Sequence, residues 1–456
     1  MASFTLTEVL QATKGEALVA RQQEFSFITT DTRKITPGAL FIALSGERFD
    51  GHDFIKQAVR QGASGVVVNK KYPADCLAGL AVTVVGVSDT LSAYQELAAA
   101  HRNRFDIPVI AVTGSNGKTT TKDLIAAVLG AKLSVLKTQA NFNNEIGLPL
   151  TLLELNSKHQ VAVVEMGMRG FGQISSLTKI ARPTIGVVTN VGETHMELLG
   201  SISNIAKAKQ ELVDAIDERG TVILNADNSY VKAMAVAAKG EIIFFGCSAE
   251  GNVRASQICR KGAYTYFTCT YQEKSQVMRL PMVGQHNVEN ALAAIACGLA
   301  LGLNFAEIQV GLENFTATKM RLQFDTVGAY TVINDAYNAS PASMQAALNT
   351  LAEVAEGRKI AVLGDMLELG TIAVKAHEQV GYLAAKAEVA AVITVGELGA
   401  VIAQAAKRHG VATVIACTTH ESAGQALEKI LESGDTILFK GSRGMQMEKI
   451  IELLPQ

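Results

Sequence analysis

The chain has 456 residues, 48% of them hydrophobic and 18% charged. A single core stops growing well below that length, so several packed domains are expected and a disordered scaffold is excluded. With 41 basic and 43 acidic side chains and a formal charge of -2, no overall field draws nucleic acid or an anionic membrane, so an anionic ligand must be held by local groups.

Six scattered cysteines without C-x-x-C spacing argue against a zinc site and a disulfide framework, and for a reducing cytoplasmic setting. The first residues lack a basic region followed by an apolar run, so no signal peptide is expected. No stretch reaches the roughly 18 uninterrupted apolar residues of a membrane span.

In chain order the pattern predicts an α/β protein of three domains, residues 1–86, 87–317 and 318–456. The first mixes short strands with a helix that Asp53 can cap, ending before Gly62 and followed by a strand at 66–68. Ser88 or Asp89 then caps a helix with Leu91, Tyr94, Leu97 and Ala98 on one face. Apolar strands at 109–112, 161–164, 184–189 and 221–224 alternate with helices, as in a parallel sheet wound by crossovers. Residues 253–283 alternate in polarity and read as an antiparallel insertion or edge. After 318 the rhythm restarts, with strands at 330–333, 359–363, 391–395, 413–416 and 436–439, as in an open Rossmann-like sheet.

The sharpest motif is Gly114-Ser115-Asn116-Gly117-Lys118-Thr119-Thr120, set between a strand and a helix expected from Thr119. Backbone N–H groups of such a loop converge on phosphate oxygens, Lys118 neutralises the β and γ phosphates of ATP, and the Thr119 hydroxyl can ligate Mg²⁺. The general pattern G-x-x-x-x-G-K-[ST] would need glycine where Val112 stands, so the loop is a shortened one. Kinases, motors, switches and ligases all use such loops, and the motif alone leaves the reaction open.

Glu165 ends a second apolar strand and His195 lies just beyond a third, where ligands of parallel sheets sit. A carboxylate suits Mg²⁺, and histidine is an unusual addition. Fourteen residues after His195 comes Lys209, in the run Ala206-Lys207-Ala208-Lys209. Here the chain resembles the Mur ligase family. The resemblance implies that Lys209 is carbamylated by CO₂ and that its new carboxylate joins Glu165, His195 and Thr119 around two Mg²⁺ ions. Lys207, two residues earlier, points to another helix face.

The resemblance covers essentially the whole chain. It implies that Thr30, Asp31, Arg33, Gly46, Asp50 and His52 hold the UDP end of a nucleotide-sugar peptide, although alone these segments read as surface turns. In Asn141-Phe142-Asn143-Asn144, Asn141 and Asn144 would lie near the muramoyl peptide, with Asx-turn chemistry as the alternative. Asn290 would read adenine while Asn287 caps its helix, and Arg321 and Asp335 would close over ATP. Asp365, Glu368 and Ser442 would meet an incoming dipeptide.

The activity so implied joins D-alanyl-D-alanine to UDP-N-acetylmuramoyl-tripeptide through an acyl phosphate, with Lys118 spreading the phosphoryl charge and Lys209, His195 and Glu165 completing the catalytic set. A monomer is expected, with hinges near 86 and 317. Competing expectations are the family's tripeptide synthetase, folylpolyglutamate synthase and, from another class, a P-loop switch that hydrolyses ATP without the dipeptide.

Overall fold

The computed structural model describes residues 2–46, 49–77 and 79–455. Glu47 and Arg48, within the expected UDP segment, lie outside the described residues. The chain forms two compact units. The first comprises Met1–Ala111, Leu133–Gly167 and Gln173–Thr184; the second comprises Val112–Lys132, Met168–Gly172 and Ile185–Gln456.

In the first unit, strands Phe27–Thr29, Ala39–Ile42, Gly65–Asn69 and Thr83–Val87 run parallel in spatial succession, and Glu16–Val19 adds an antiparallel edge. Their near-continuous valine, isoleucine and leucine content fits strands buried on both faces. Helix Ile55–Arg60 has no side-chain cap; the expected cap Asp53 lies inside the preceding 3₁₀ turn Gly51–Phe54, which Asp50 caps instead through His52 N. Asp89 caps helix Thr90–Arg102 by accepting from Ser92 N. Strand Val161–Glu165 pairs in parallel with a strand not foreseen, Val135–Lys137, too short to leave a periodic signature.

Strand Val109–Thr113 crosses the division between the units after Ala111. In the second unit, Ile185–Val188, Thr221–Asn225 and Glu241–Gly246 are parallel neighbours. They continue into the antiparallel strands Val253–Lys261, Tyr264–Tyr271 and Lys274–Leu280, the insertion read from alternation. Helices Gln285–Ala300 and Phe305–Glu313 pack on Lys118–Gly130, the helix that leaves the phosphate loop.

The same unit holds a six-stranded sheet. The hairpin Gln323–Val327 and Tyr330–Asn334 leads to Thr436–Lys440, Lys359–Gly364, Ala391–Val395 and Thr413–Cys417, all parallel after the hairpin. Its faces are covered by two apolar clusters, centred on Leu348, Leu363 and Ile402 and on Val362, Leu427 and Phe439. The loops at the carboxyl ends of these strands carry Asp335, Asp365 and Ser442, the position at which open α/β sheets bind ligands.

Candidate active site

The phosphate loop is held by its backbone. Gly117 has φ 78 and precedes helix Lys118–Gly130, and a Cβ there would stand 2.4 Å from Asn290 Oδ1. At Gly114 a Cβ would fall 1.9 Å from Thr189 Oγ1. Both positions therefore require glycine. Ser115 N donates to Asn190 O at 2.8 Å and Asn116 N to Asn190 Oδ1 at 2.8 Å, while Thr189 Oγ1 donates to Asn116 O at 2.7 Å. These two amides are already engaged, and the N-terminus of helix Lys118–Gly130 is the part of the motif suited to phosphate. Lys118 Nζ donates to Gly114 O at 2.8 Å and Ser115 O at 3.3 Å, so its charge is carried over the loop. Thr119 is buried and Thr120 half-buried.

Thr189 and Asn190 brace the loop, and sequence reasoning gave them no role. Their signal was a polar pair directly after the apolar strand Ile185–Val188, ending two residues before Gly192. A second brace, Ser340, caps helix Pro341–Val354 and donates to Asn116 Oδ1 at 2.8 Å.

Lys209 lies in helix Ile202–Asp214, capped by Ser201, and is 2% exposed, whereas Lys207 is exposed. Burial, then the charge of Lys118, hold its amine well below the usual lysine range. No carboxylate lies within ion-pair distance of it among the described residues. A lysine buried without a counterion and biased toward the free amine has the electronic state carbamate formation needs. His195 stands at φ 56 before helix Met196–Leu199, and its Nδ1 lies 2.5 Å from Glu368 Oε2. Burial lowers its pKa, with Glu368 opposing and Lys118 and Lys209 adding to the fall.

In the other unit, Asn143 Nδ2 donates to Glu165 Oε1 at 2.7 Å. Glu165 Oε2 is buried with no hydrogen-bond partner, and an orphaned buried carboxylate oxygen suits a cation. No three His, Cys, Asp or Glu side chains gather as a cage among the described residues. The orphaned Glu165 oxygen fits Mg²⁺, a hard cation that takes carboxylate oxygens together with waters and substrate phosphates.

The remaining expected residues fall into two groups. Asn290 is buried; its Oδ1 accepts from Thr121 Oγ1 at 3.1 Å and its Nδ2 donates to Asn287 at 3.3 Å, so it packs against the loop helix. Asn287 does not cap its helix: its amide reaches back to Val283 O at 2.8 Å, and the cap position is Gly284. The Arg321 guanidinium lies 4.0 Å over the Tyr337 ring, and its buried Nε has no hydrogen-bond partner. Asp335 accepts from buried Lys440 at 2.5 Å. Asp365 Oδ1 accepts from Gly399 N at 2.6 Å, its carbonyl accepts from Ser442 N at 3.0 Å, and Ser442 Oγ accepts from Leu367 N at 2.8 Å.

In the first unit Asp31 binds Arg33, with Nε and Nη2 each at 2.9 Å, next to half-buried Thr30. Asp50 meets His52 Nδ1 at 2.6 Å while His52 Nε2 accepts from Asn69 N at 3.0 Å, so that histidine is a buried brace. Gly46 is exposed, its N–H bonded to Phe49 O. Asn144 Oδ1 accepts from Gly147 N at 2.9 Å, the Asx-turn alternative, and Asn141 is exposed.

Comparison with known proteins agrees across this framework. The model of the Mur ligase family catalytic domain matches residues 24–106, that of the Mur ligase middle domain 112–298, and that of the Mur ligase glutamate ligase domain 320–443. The UDP-N-acetylmuramoyl-tripeptide–D-alanyl-D-alanine ligase of Bacillus subtilis is 40% identical over 99% of this chain and 98% of its own. A crystal structure of MurF from Acinetobacter baumannii superposes with a TM-score of 0.90 at 33% identity, covering 99% of this chain and 98% of that one. MurF ligase from Thermotoga maritima, solved in complex with ADP, gives 0.84 at 26% identity over 94% and 96%. On full-length identity and the three matched segments alike, the chain belongs to the Mur ligase family.

Proposed function

We propose that this protein is an ATP-dependent ligase that joins D-alanyl-D-alanine to UDP-N-acetylmuramoyl-tripeptide, releasing ADP and phosphate. The observation that carries the reading is the pairing of a braced phosphate loop with a buried, counterion-free Lys209 in one compact unit. A phosphate switch has no use for the second feature.

The tripeptide carboxylate attacks the γ-phosphate, ADP leaves, and the dipeptide amine displaces phosphate from the resulting acyl phosphate. The amides from Gly117 onward and Lys118 hold the transferring phosphoryl group and offset the charge that develops on its oxygens. Thr119, Glu165, His195 and Lys209 as its carbamate would hold Mg²⁺, which when bound supplies further charge neutralisation at the phosphates. Asn290 supports the loop from the adenine side, while Arg321 and Asp335 face the nucleotide from the C-terminal segment. The segments around Thr30, Asp31, Arg33, Gly46, Asp50 and His52 receive the UDP end, and Asn141 and Asn144 lie toward the peptide.

Segments 1–86, 87–317 and 318–456 act as domains whose closure excludes water from the acyl phosphate. The working form is a cytoplasmic monomer. No helix among the described residues is long and apolar enough to cross a membrane.

Substrate omission tests the reading. Phosphate release should require both UDP-N-acetylmuramoyl-tripeptide and D-alanyl-D-alanine. Equal release with either one left out overturns it in favour of a simple ATPase.

A further inference from the structure

Two residues in left-handed backbone conformations meet across the second unit: His195 at φ 56 and Glu368 at φ 62. Neither is glycine, and such a conformation costs roughly 1–2 kcal/mol per residue, so surrounding contacts must hold it. Those contacts are present. Glu197 N donates to Glu368 O at 3.2 Å, and Gly370 approaches so closely that a Cβ on it would stand 3.0 Å from Glu197 Cα. At the centre, His195 Nδ1 lies 2.5 Å from Glu368 Oε2, with Arg169 Nη2 3.7 Å from the other carboxylate oxygen. The loop after strand Lys359–Gly364 is thereby seated on the turn that carries His195.

A carboxylate accepts hydrogen bonds and does not donate them, so the partner assigns the proton to Nδ1 and leaves Nε2 with its lone pair. Carboxylates paired in this way with ligating histidines fix both ring orientation and tautomer. We propose that Glu368 is a positioning residue for His195: seating of its loop makes Nε2 a ready donor to the divalent cation that accompanies the nucleotide. This rests on the reading above that His195 ligates that cation. Glu368 then links docking of the C-terminal loop to readiness of the metal site, a task separate from contact with the dipeptide.

The test measures Mn²⁺ binding directly, by electron paramagnetic resonance on the full chain with ADP, in wild type, E368A, E368Q, H195A and the double variant. E368A should weaken Mn²⁺ binding on the order of tenfold. E368Q, which keeps an acceptor oxygen, should recover most of the loss, and E368A should cost nothing further in the H195A background. Thermal unfolding of each variant confirms that the fold persists, and E368Q carries the test if E368A fails to fold. Wild-type Mn²⁺ affinity in E368A together with a raised KM for the dipeptide overturns the proposal and makes Glu368 a substrate contact. Unchanged affinity in H195A overturns the underlying assignment of His195, and the proposal with it.

Discussion

The phosphate loop and the loop at 365–370 both follow an apolar strand, yet they use their polar groups in opposite ways. In the phosphate loop, side chains from Thr189, Asn190 and Ser340 brace the chain from outside, and the helix N-terminus after Gly117 is the part suited to phosphate. In the 365–370 loop two of the residues' own side chains reach outward to brace it: Asp365 holds Gly399 N and Glu368 holds His195, while Ser442, from the loop after strand Thr436–Lys440, holds Leu367 N. Polar side chains at a strand end thus have two fates. Only where the backbone performs the chemistry does a short motif announce it.

Removal of the working charge in the first region should have the largest effect. Lys118→Met should lower kcat/KM about 10³-fold, roughly 4 kcal/mol of transition-state stabilisation. Its unfolding midpoint in urea should stay close to wild type. An equal loss of stability would mean that the lysine holds the loop together and would erase the contrast. Lys209→Ala comes next, with a loss of a few hundred-fold. Short-chain carboxylic acids should restore part of that activity, whereas a fully active variant makes the carbamate irrelevant.

His286 sharpens the comparison because it opens a central helix yet feels Asp335 and Lys440 from the C-terminal strand ends. Burial holds its pKa down at about 4, with Asp335 opposing and Lys440 reinforcing the fall. The folded value lies below the ordinary 6.5, so the unfolded chain takes up the proton first. Stability is therefore intact above pH 6.5 and drains away as pH falls toward 4. At roughly pH 4.5 the loss should reach about 2.5 kcal/mol, and His286→Gln should flatten urea-unfolding stability over that window. An unchanged slope would place the acid sensitivity elsewhere.

The legible parts of the molecule were those governed by period and backbone. Strand Ala391–Val395 lies where its apolar run put it, and the insertion at 253–283 is antiparallel as its alternation required. Helical spacing put Lys207 and Lys209 on different faces, and the family resemblance picked out Lys209; the former is exposed and the latter buried. The cap expected at Asp53 falls elsewhere because Asp50 precedes and Asp53 lies within the same short turn, and a carboxylate at either place could accept from a helix N-terminus. The partners of Asp365, Glu368 and Ser442 were hidden for a different reason: each bond spans 34 to 173 residues of sequence, a distance over which no local pattern carries information.

The smallest effect tests the second region most directly. Ser442 Oγ accepts from Leu367 N at 2.8 Å, and Ser442 is 4% exposed. Ser442→Ala leaves that amide without its partner and should cost about 1 kcal/mol in urea unfolding, the usual worth of one such bond. The loop should loosen, so KM for D-alanyl-D-alanine should rise a fewfold while KM for ATP holds, because the phosphate loop is braced by other residues. If Ser442 instead touched the dipeptide, Ser442→Ala would leave stability unchanged and lower kcat/KM for that substrate alone. Stability and specificity therefore move together only if the hydroxyl acts through the loop, and the ratio of the two changes separates a brace from a reader.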